Sequence, residues 1–154
     1  MINFRKANIE DADILAMIRS IFLMEANDFS SETERKTMEI ANKIYFEKAL
    51  GDGSFLAWLA LDDSKVVATS GLSFITAPPN FKRPDGREAH IMNMFTFSDY
   101  RKQGIGSELL KRTIAEAKMR GYKKITLNAT DMGKSLYEKY GFNDVIGSMV
   151  LYIE

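Results

Sequence analysis

The stretch that most constrains how this 154-residue chain can fold runs from Ala89 to Asn128. Ala89–Phe97 has the composition of a strand, and Arg101-Lys102-Gln103-Gly104-Ile105-Gly106 is a glycine-containing turn. From Gly104 to Arg120 the apolar residues Ile105, Leu109, Ile114 and Ala117 recur at helical spacing, and Ile125–Asn128 reads as a second short strand. Strand, helix and strand at this spacing fit a parallel crossover, which requires a sheet with a helix laid across it.

The flanking segments extend that sheet. Ile2–Lys6 reads as a strand, and Asp11 or Asp13 can cap a helix whose stripe is Ile14, Ile18, Ile21 and Phe22. Residues 31–49 read as a second helix closed by Gly51 and Gly53. Phe55–Leu61 and Val66–Ile75 are β-rich runs joined by a hairpin signal at Asp62–Lys65. Pro78, Pro79 and Pro84 mark a loop over Ala77–Glu88, Asp131–Tyr140 is a short helix closed by Gly141, and Val145–Ile153 is expected to be a final strand. The resulting order, βααββ-βαβαβ, describes one α/β (α+β) domain over residues 1–154 with a mixed, mostly antiparallel sheet.

Composition removes several classes of protein. The chain has no cysteine, which excludes disulfide scaffolds, thiolate metal sites and cysteine nucleophiles. Its one histidine, His90, excludes a multi-histidine metal site, so no metal is expected. Lys plus Arg and Asp plus Glu are 21 each, so neither a nucleic-acid coat nor a polybasic membrane binder is expected. The polar N-terminus has no signal-peptide core and Phe55–Leu61 is too short to span a bilayer, so a cytoplasmic protein is the expectation.

Charge is nevertheless unevenly spread. Between Asn8 and Glu34 the acids Glu10, Asp11, Asp13, Glu25, Asp28, Glu32 and Glu34 face only Arg19. Between Arg101 and Lys124 eight bases face Glu108 and Glu116. Solvated helix faces explain such runs most simply, and a cationic and an anionic ligand explain them otherwise.

Chemistry enters at the glycine turn. Glycines let backbone approach a ligand, and the first amides of a helix are unpartnered at the positive end of its dipole. Arg101 and Lys102 add charge there. A dinucleotide fingerprint would need glycine where Leu109 stands, and a P-loop would need a Gly-Lys-Ser/Thr ending, so neither applies. Further on, Tyr137 and Tyr140 lie three apart in the short helix. A tyrosine hydroxyl, with a pKa of about 10, can protonate a thiolate of comparable basicity.

Taken together, Ile91-Met92-Asn93-Met94-Phe95-Thr96, the RxxGxG turn at Arg101–Gly106 and Leu136-Tyr137-Glu138-Lys139-Tyr140-Gly141-Phe142 resemble the GNAT superfamily of acetyl-CoA-dependent N-acetyltransferases. The resemblance covers residues 89–142; before that only the element order fits. It implies a splayed parallel strand pair, 89–97 and 123–128, whose cleft takes the pantetheine arm. Main-chain groups of Met94, Phe95 and Thr96 would pair with that arm, with the Met94 amide polarising the thioester carbonyl. Backbone amides of Gln103, Gly104, Ile105, Gly106 and Ser107 would hold the pyrophosphate, with Arg101, Lys102 and Lys134 as phosphate partners and Asn128 facing the cofactor. Tyr137 matches the family's general acid, and Tyr140 is expected to pack.

The resemblance further implies direct transfer to an amine acceptor without a covalent enzyme intermediate. Many relatives carry a carboxylate where Met92 and Asn93 stand here, so the base is expected to be water or Glu25, with Asp28 behind it. The acidic 8–34 segment favours a cationic acceptor. A catalytically silent acyl-CoA-binding module is the rival reading, and a transferase of longer acyl groups a third. The apolar Val145–Ile153 run suggests a homodimer. Asn128-Ala129-Thr130 matches a glycosylation pattern by chance.

Overall fold

A computed structural model describes residues 1–26 and 31–153. The elements are β1 (Ile2–Lys6), a 3-10 turn (Ile9–Asp11), α1 (Ala12–Glu25), α2 (Glu32–Asp52), β2 (Phe55–Asp62), β3 (Lys65–Thr76) and β4 (Arg87–Thr96). A second 3-10 turn (Ser98–Tyr100), α3 (Ile105–Met119), β5 (Ile125–Leu127) and α4 (Asp131–Lys139) follow. The sheet order is β1-β2-β3-β4-β5. Every neighbouring pair is antiparallel except β4–β5, which is parallel.

Side-chain alternation along β2 explains why both faces are covered. Phe55, Ala57 and Leu59 point into a cluster with Leu15, Ala16 and Phe46 of α1 and α2. Trp58 and Ala60 point the other way, toward Ile105 and Leu109 of α3. Burying side chains of this size contributes about 1.5–3 kcal/mol each, so the two helical layers are held chiefly by these clusters. Inside the second layer the hydroxyl of Thr113 donates to that of Ser70 at 2.8 Å, pairing two fully buried polar groups.

The helix ends depart from the expected caps. Asp11 stands at the N-cap of α1 but makes no side-chain cap bond there; Asn8 caps the preceding 3-10 turn, its side chain accepting from the Glu10 amide while its own amide donates to the Asp11 carboxylate. Asp11 also accepts two hydrogen bonds from Arg5 of β1, at 2.7 and 2.8 Å. Gly53, at φ 78°, closes α2 as expected, whereas Gly51 lies within the helix.

One expected element is not formed. Val145–Ile153 forms neither helix nor strand, so the observed order stops at α4. A strand exists only through hydrogen bonds to a neighbour. The described chain supplies none to this segment, whatever its intrinsic β preference. Among the described residues no helix is long and apolar enough to cross a membrane.

Candidate active site

β4 and β5 pair only from Ala89↔Ile125 to Ile91↔Leu127. Beyond Ile91 the remaining five residues of β4 have no ladder partner on that side, and a cleft of about 770 Å³ opens there. It is lined by Met94, Phe95 and Thr96 of β4, by Arg101, Lys102 and Gly104 of the turn and the first residues of α3, by Thr130 and one face of α4 that includes Gly133 and Tyr137, and by Phe22 and Glu25 of α1.

β4 is kinked where it enters the cleft. Its register against β3 shifts by one residue between the Thr69↔Phe95 and Gly71↔Met92 pairs, and Asn93 takes φ +55°. Such a bulge inserts an extra residue and re-aims the backbone that follows it. The Thr69 hydroxyl donates to the Asn93 carbonyl at 2.6 Å, which fixes the kink. The Asn93 side chain is buried without a hydrogen-bond partner. Nothing local in the sequence signals this bulge, although asparagine tolerates positive φ better than most residues.

At the other end, Gly104 caps α3 at φ 80°, with no side-chain cap. The first helical bond is Glu108 N–H to Gly104 O, so the amides of Ile105, Gly106 and Ser107 are left to an external acceptor. A Cβ added to Gly104 would meet no protein atom within 4 Å, and Gly104 lines the cleft. Lys102, exposed at φ 59°, has no ion pair among the described residues. The turn therefore fits a phosphate.

Arg101 is otherwise engaged. Its Nε donates to the Thr96 carbonyl at 2.8 Å, and its Nη2 bridges both oxygens of Glu25, at 3.3 and 3.0 Å. It also lies over the Phe95 ring. The expected phosphate partner thus clamps β4 to α1, and the expected base is its counter-ion. Much of the basic stretch is neutralised in the same way, through Arg112–Glu108, Arg120–Glu116 and Lys124–Glu88. The solvated-face explanation accounts for more of that charge than a ligand does.

Tyr137 is buried to 9% exposure on α4, and burial pushes its hydroxyl above the ordinary tyrosine value. The hydroxyl has no hydrogen-bond partner among the described residues, and Tyr137 lines the cleft. Tyr140 instead donates to the Ser107 carbonyl at 3.1 Å and meets the Ser107 hydroxyl at 2.8 Å, tying α4 to α3.

Other expected residues lie elsewhere. Lys134 is paired with Asp144 at 2.7 Å. Gln103 bonds the Asp99 carbonyl, and Asn128 is exposed beyond β5; neither side chain lines the cleft. Asp28 lies outside the described residues. His90 is held at the paired end of β4–β5 by Thr126, whose hydroxyl in turn donates to Glu88. Burial lowers the His90 pKa against the pull of Glu88. Phe22, Met132 and Gly133 also line the cleft; of these only Gly133, a glycine inside a helix, stands out in the sequence.

Among the described residues no group of three His, Cys, Asp or Glu could hold a metal ion. A splayed parallel pair over an open helix N-terminus, with a tyrosine in the cleft, fits an acyl-CoA-dependent transferase. The chain belongs to the acetyltransferase (GNAT) family, whose model matches residues 17–142. It is an N-acetyltransferase that uses acetyl-CoA. It is 32% identical to an acetyltransferase from Clostridium acetobutylicum solved with acetyl-CoA, at a TM-score of 0.90 over 99% of this chain and 96% of that one. It is 32% identical over 66 residues to the uncharacterized N-acetyltransferase YsnE of Bacillus subtilis, a match covering 40% of this chain and 44% of that protein. It is also 25% identical over 114 residues to glucosamine 6-phosphate N-acetyltransferase 1 of Oryza sativa, covering 74% of this chain and 69% of that one.

Proposed function

We propose that this chain, as one domain over residues 1–154 acting in the cytoplasm, transfers acetyl to a primary amine of a cationic acceptor by direct attack. The observation that carries the reading is the pairing of two features across one cleft: three open amides at the start of α3 and the unbonded Tyr137 hydroxyl. Bound acetyl-CoA supplies the acetyl group as an activated thioester.

The amides of Ile105–Ser107 and Lys102 hold the phosphates, while the backbone of Met94–Thr96 lines the pantetheine arm. The Met94 amide, just past the bulge, stabilises charge developing on the thioester oxygen. Tyr137 donates its proton to the departing thiolate, for which its raised pKa keeps it protonated at neutral pH. Holding both reactants in one cleft supplies much of the remaining rate.

Glu25 faces the acceptor side beside Phe22 and, with Asp131, gives that mouth an acidic character suited to an ammonium group. Arg101 approaches it through one nitrogen only, leaving the carboxylate lone pairs with which to take the amine proton. Water is the competing base. The buried acid speaks against a silent binding module, which needs no proton donor. The exposed apolar tail supports a homodimer.

The test is calorimetric titration with acetyl-CoA, followed by thiol release against a panel of amines. Binding with amine-dependent release supports the reading, and binding without release from any amine favours the silent module.

A further inference from the structure

α4 carries the Tyr137 hydroxyl, and little fixes where α4 itself lies. Of its residues only Leu136 and Tyr137 enter the apolar cluster that includes Leu110 of α3 and Ile91 of β4. Apolar packing is non-directional, and a helix of nine residues is too short to be stable alone. Directional bonds must therefore set its position. Among the described residues, the hydrogen bonds from Asp131–Tyr140 to another helix or strand all come from one side chain, Tyr140.

Both of those bonds end on Ser107. The Tyr140 hydroxyl donates to the Ser107 carbonyl at 3.1 Å, so in the 2.8 Å contact the Ser107 hydroxyl donates to the Tyr140 oxygen. Each proton has its acceptor and the pair is closed. Ser107 also belongs to the phosphate turn, since its amide is one of the three left open at the start of α3 and it lines the cleft. On the α4 side, the amides of Tyr140 and Phe142 both donate to the Tyr137 carbonyl, at 3.0 and 3.2 Å. The Phe142 ring meets the Tyr137 ring edge-on at 6.0 Å. A displacement of Tyr140 is thus carried by the backbone to Tyr137.

We infer that Tyr140 is a positioning residue, whose closed pair with Ser107 sets the distance from the phosphate turn to the Tyr137 hydroxyl. The inference rests on the acid role proposed for Tyr137 and adds the group that aims it. The phosphates and the sulfur of the cofactor are joined by one arm, so an acid that serves the sulfur gains from being referenced to the end that holds the phosphates. Tyrosine suits the task, because a rigid ring with two side-chain torsions reaches across at low entropic cost. Misplacing a reacting group by about 1 Å can cost about a hundredfold in rate. The fold makes no comparable demand on this residue: Tyr140 is 37% exposed and enters none of the buried clusters.

The experiment is a double-mutant cycle between Tyr140→Phe and Tyr137→Phe. Turnover is read as thiol release from acetyl-CoA with the amine that releases most in the panel above, and acetyl-CoA Kd and Tm are measured on the same samples. Phenylalanine keeps the ring and removes only the hydroxyl, so folding survives. Tyr140→Phe alone is expected to lower kcat about tenfold, with Kd held within about twofold and Tm within about 4 °C. In the Tyr137→Phe background the same change is expected to alter kcat by less than about twofold, because no acid remains to be aimed. Full kcat in Tyr140→Phe overturns the inference and leaves Tyr140 as a packing residue. An equal loss in both backgrounds also overturns it, since the hydroxyl then acts on the scaffold and not through Tyr137. Unchanged turnover in Tyr137→Phe removes the acid role and this inference with it, and thiol release from no amine removes the transferase reading on which both rest.

Discussion

Arg101 bridges Glu25 at 3.0 Å across 76 positions of sequence, and the same guanidinium holds the Thr96 carbonyl at 2.8 Å. One side chain thus joins α1, β4 and the turn that opens α3. Arginine suits this because its donors form a rigid fork; lysine offers a single point charge. Arg101→Lys is expected to raise the apparent KM for both substrates several-fold, because α1 and β4 lose a common anchor. Initial-rate kinetics with each substrate varied in turn will show it.

Glu25→Gln separates base from clamp. Glutamine keeps a carbonyl for Arg101 but accepts no proton. If Glu25 takes the amine proton, kcat falls about a hundredfold while acetyl-CoA affinity holds. A fall of less than twofold assigns the proton to water.

Gly133 lies against Tyr137. A Cβ built on it would come within 2.9 Å of the Tyr137 ring and 3.4 Å of the Thr130 hydroxyl. Alanine is the better helix former by about 1 kcal/mol. Gly133→Ala is therefore expected to hold or raise Tm, yet lower kcat about tenfold by displacing the acid. Thermal melting and turnover on one sample check both.

Tyr137→Phe should lower kcat about a hundredfold and leave the acetyl-CoA Kd within twofold. Burial raises the hydroxyl's pKa, so it remains protonated, and active, up to and beyond its ordinary value of about 10. The alkaline limb of kcat belonging to this group accordingly lies above pH 10. A limb near pH 8 identifies a different acid.

Gly104 and Gly53 form a matched pair, at φ 80° and 78°, each with no atom within 4 Å of an added Cβ. Alanine at either costs about 1–2 kcal/mol of backbone strain. Only Gly104→Ala is expected to weaken acetyl-CoA binding, by about tenfold, since only Gly104 borders the cleft. Titration calorimetry on the two variants compares them directly.

Asp11 sets an acid limb of stability. Its hydrogen bonds from Arg5 hold its carboxyl below the usual range, with the Asn8 amide assisting. Its contribution is complete above the unfolded value of about 3.9 and is lost as pH falls through the lower folded one. Asp11→Asn should cost roughly 2 kcal/mol at pH 7 and flatten that limb in denaturant titrations.

The crossover from β4 through α3 to β5 and α4 was legible because its signals are local. Glycines placed for positive φ and helical spacing act within a few residues of where they stand. Gly104, Tyr137 and Met94 accordingly line one cleft. What only the tertiary structure decided depends on partners far away in sequence. Arg101 finds Glu25 rather than solvent because α1 packs beside the turn. The kink at Asn93 answers to Thr69, on a different strand. Val145–Ile153 has every preference of a strand but no ladder in its own chain, and preference alone forms no inter-strand hydrogen bond.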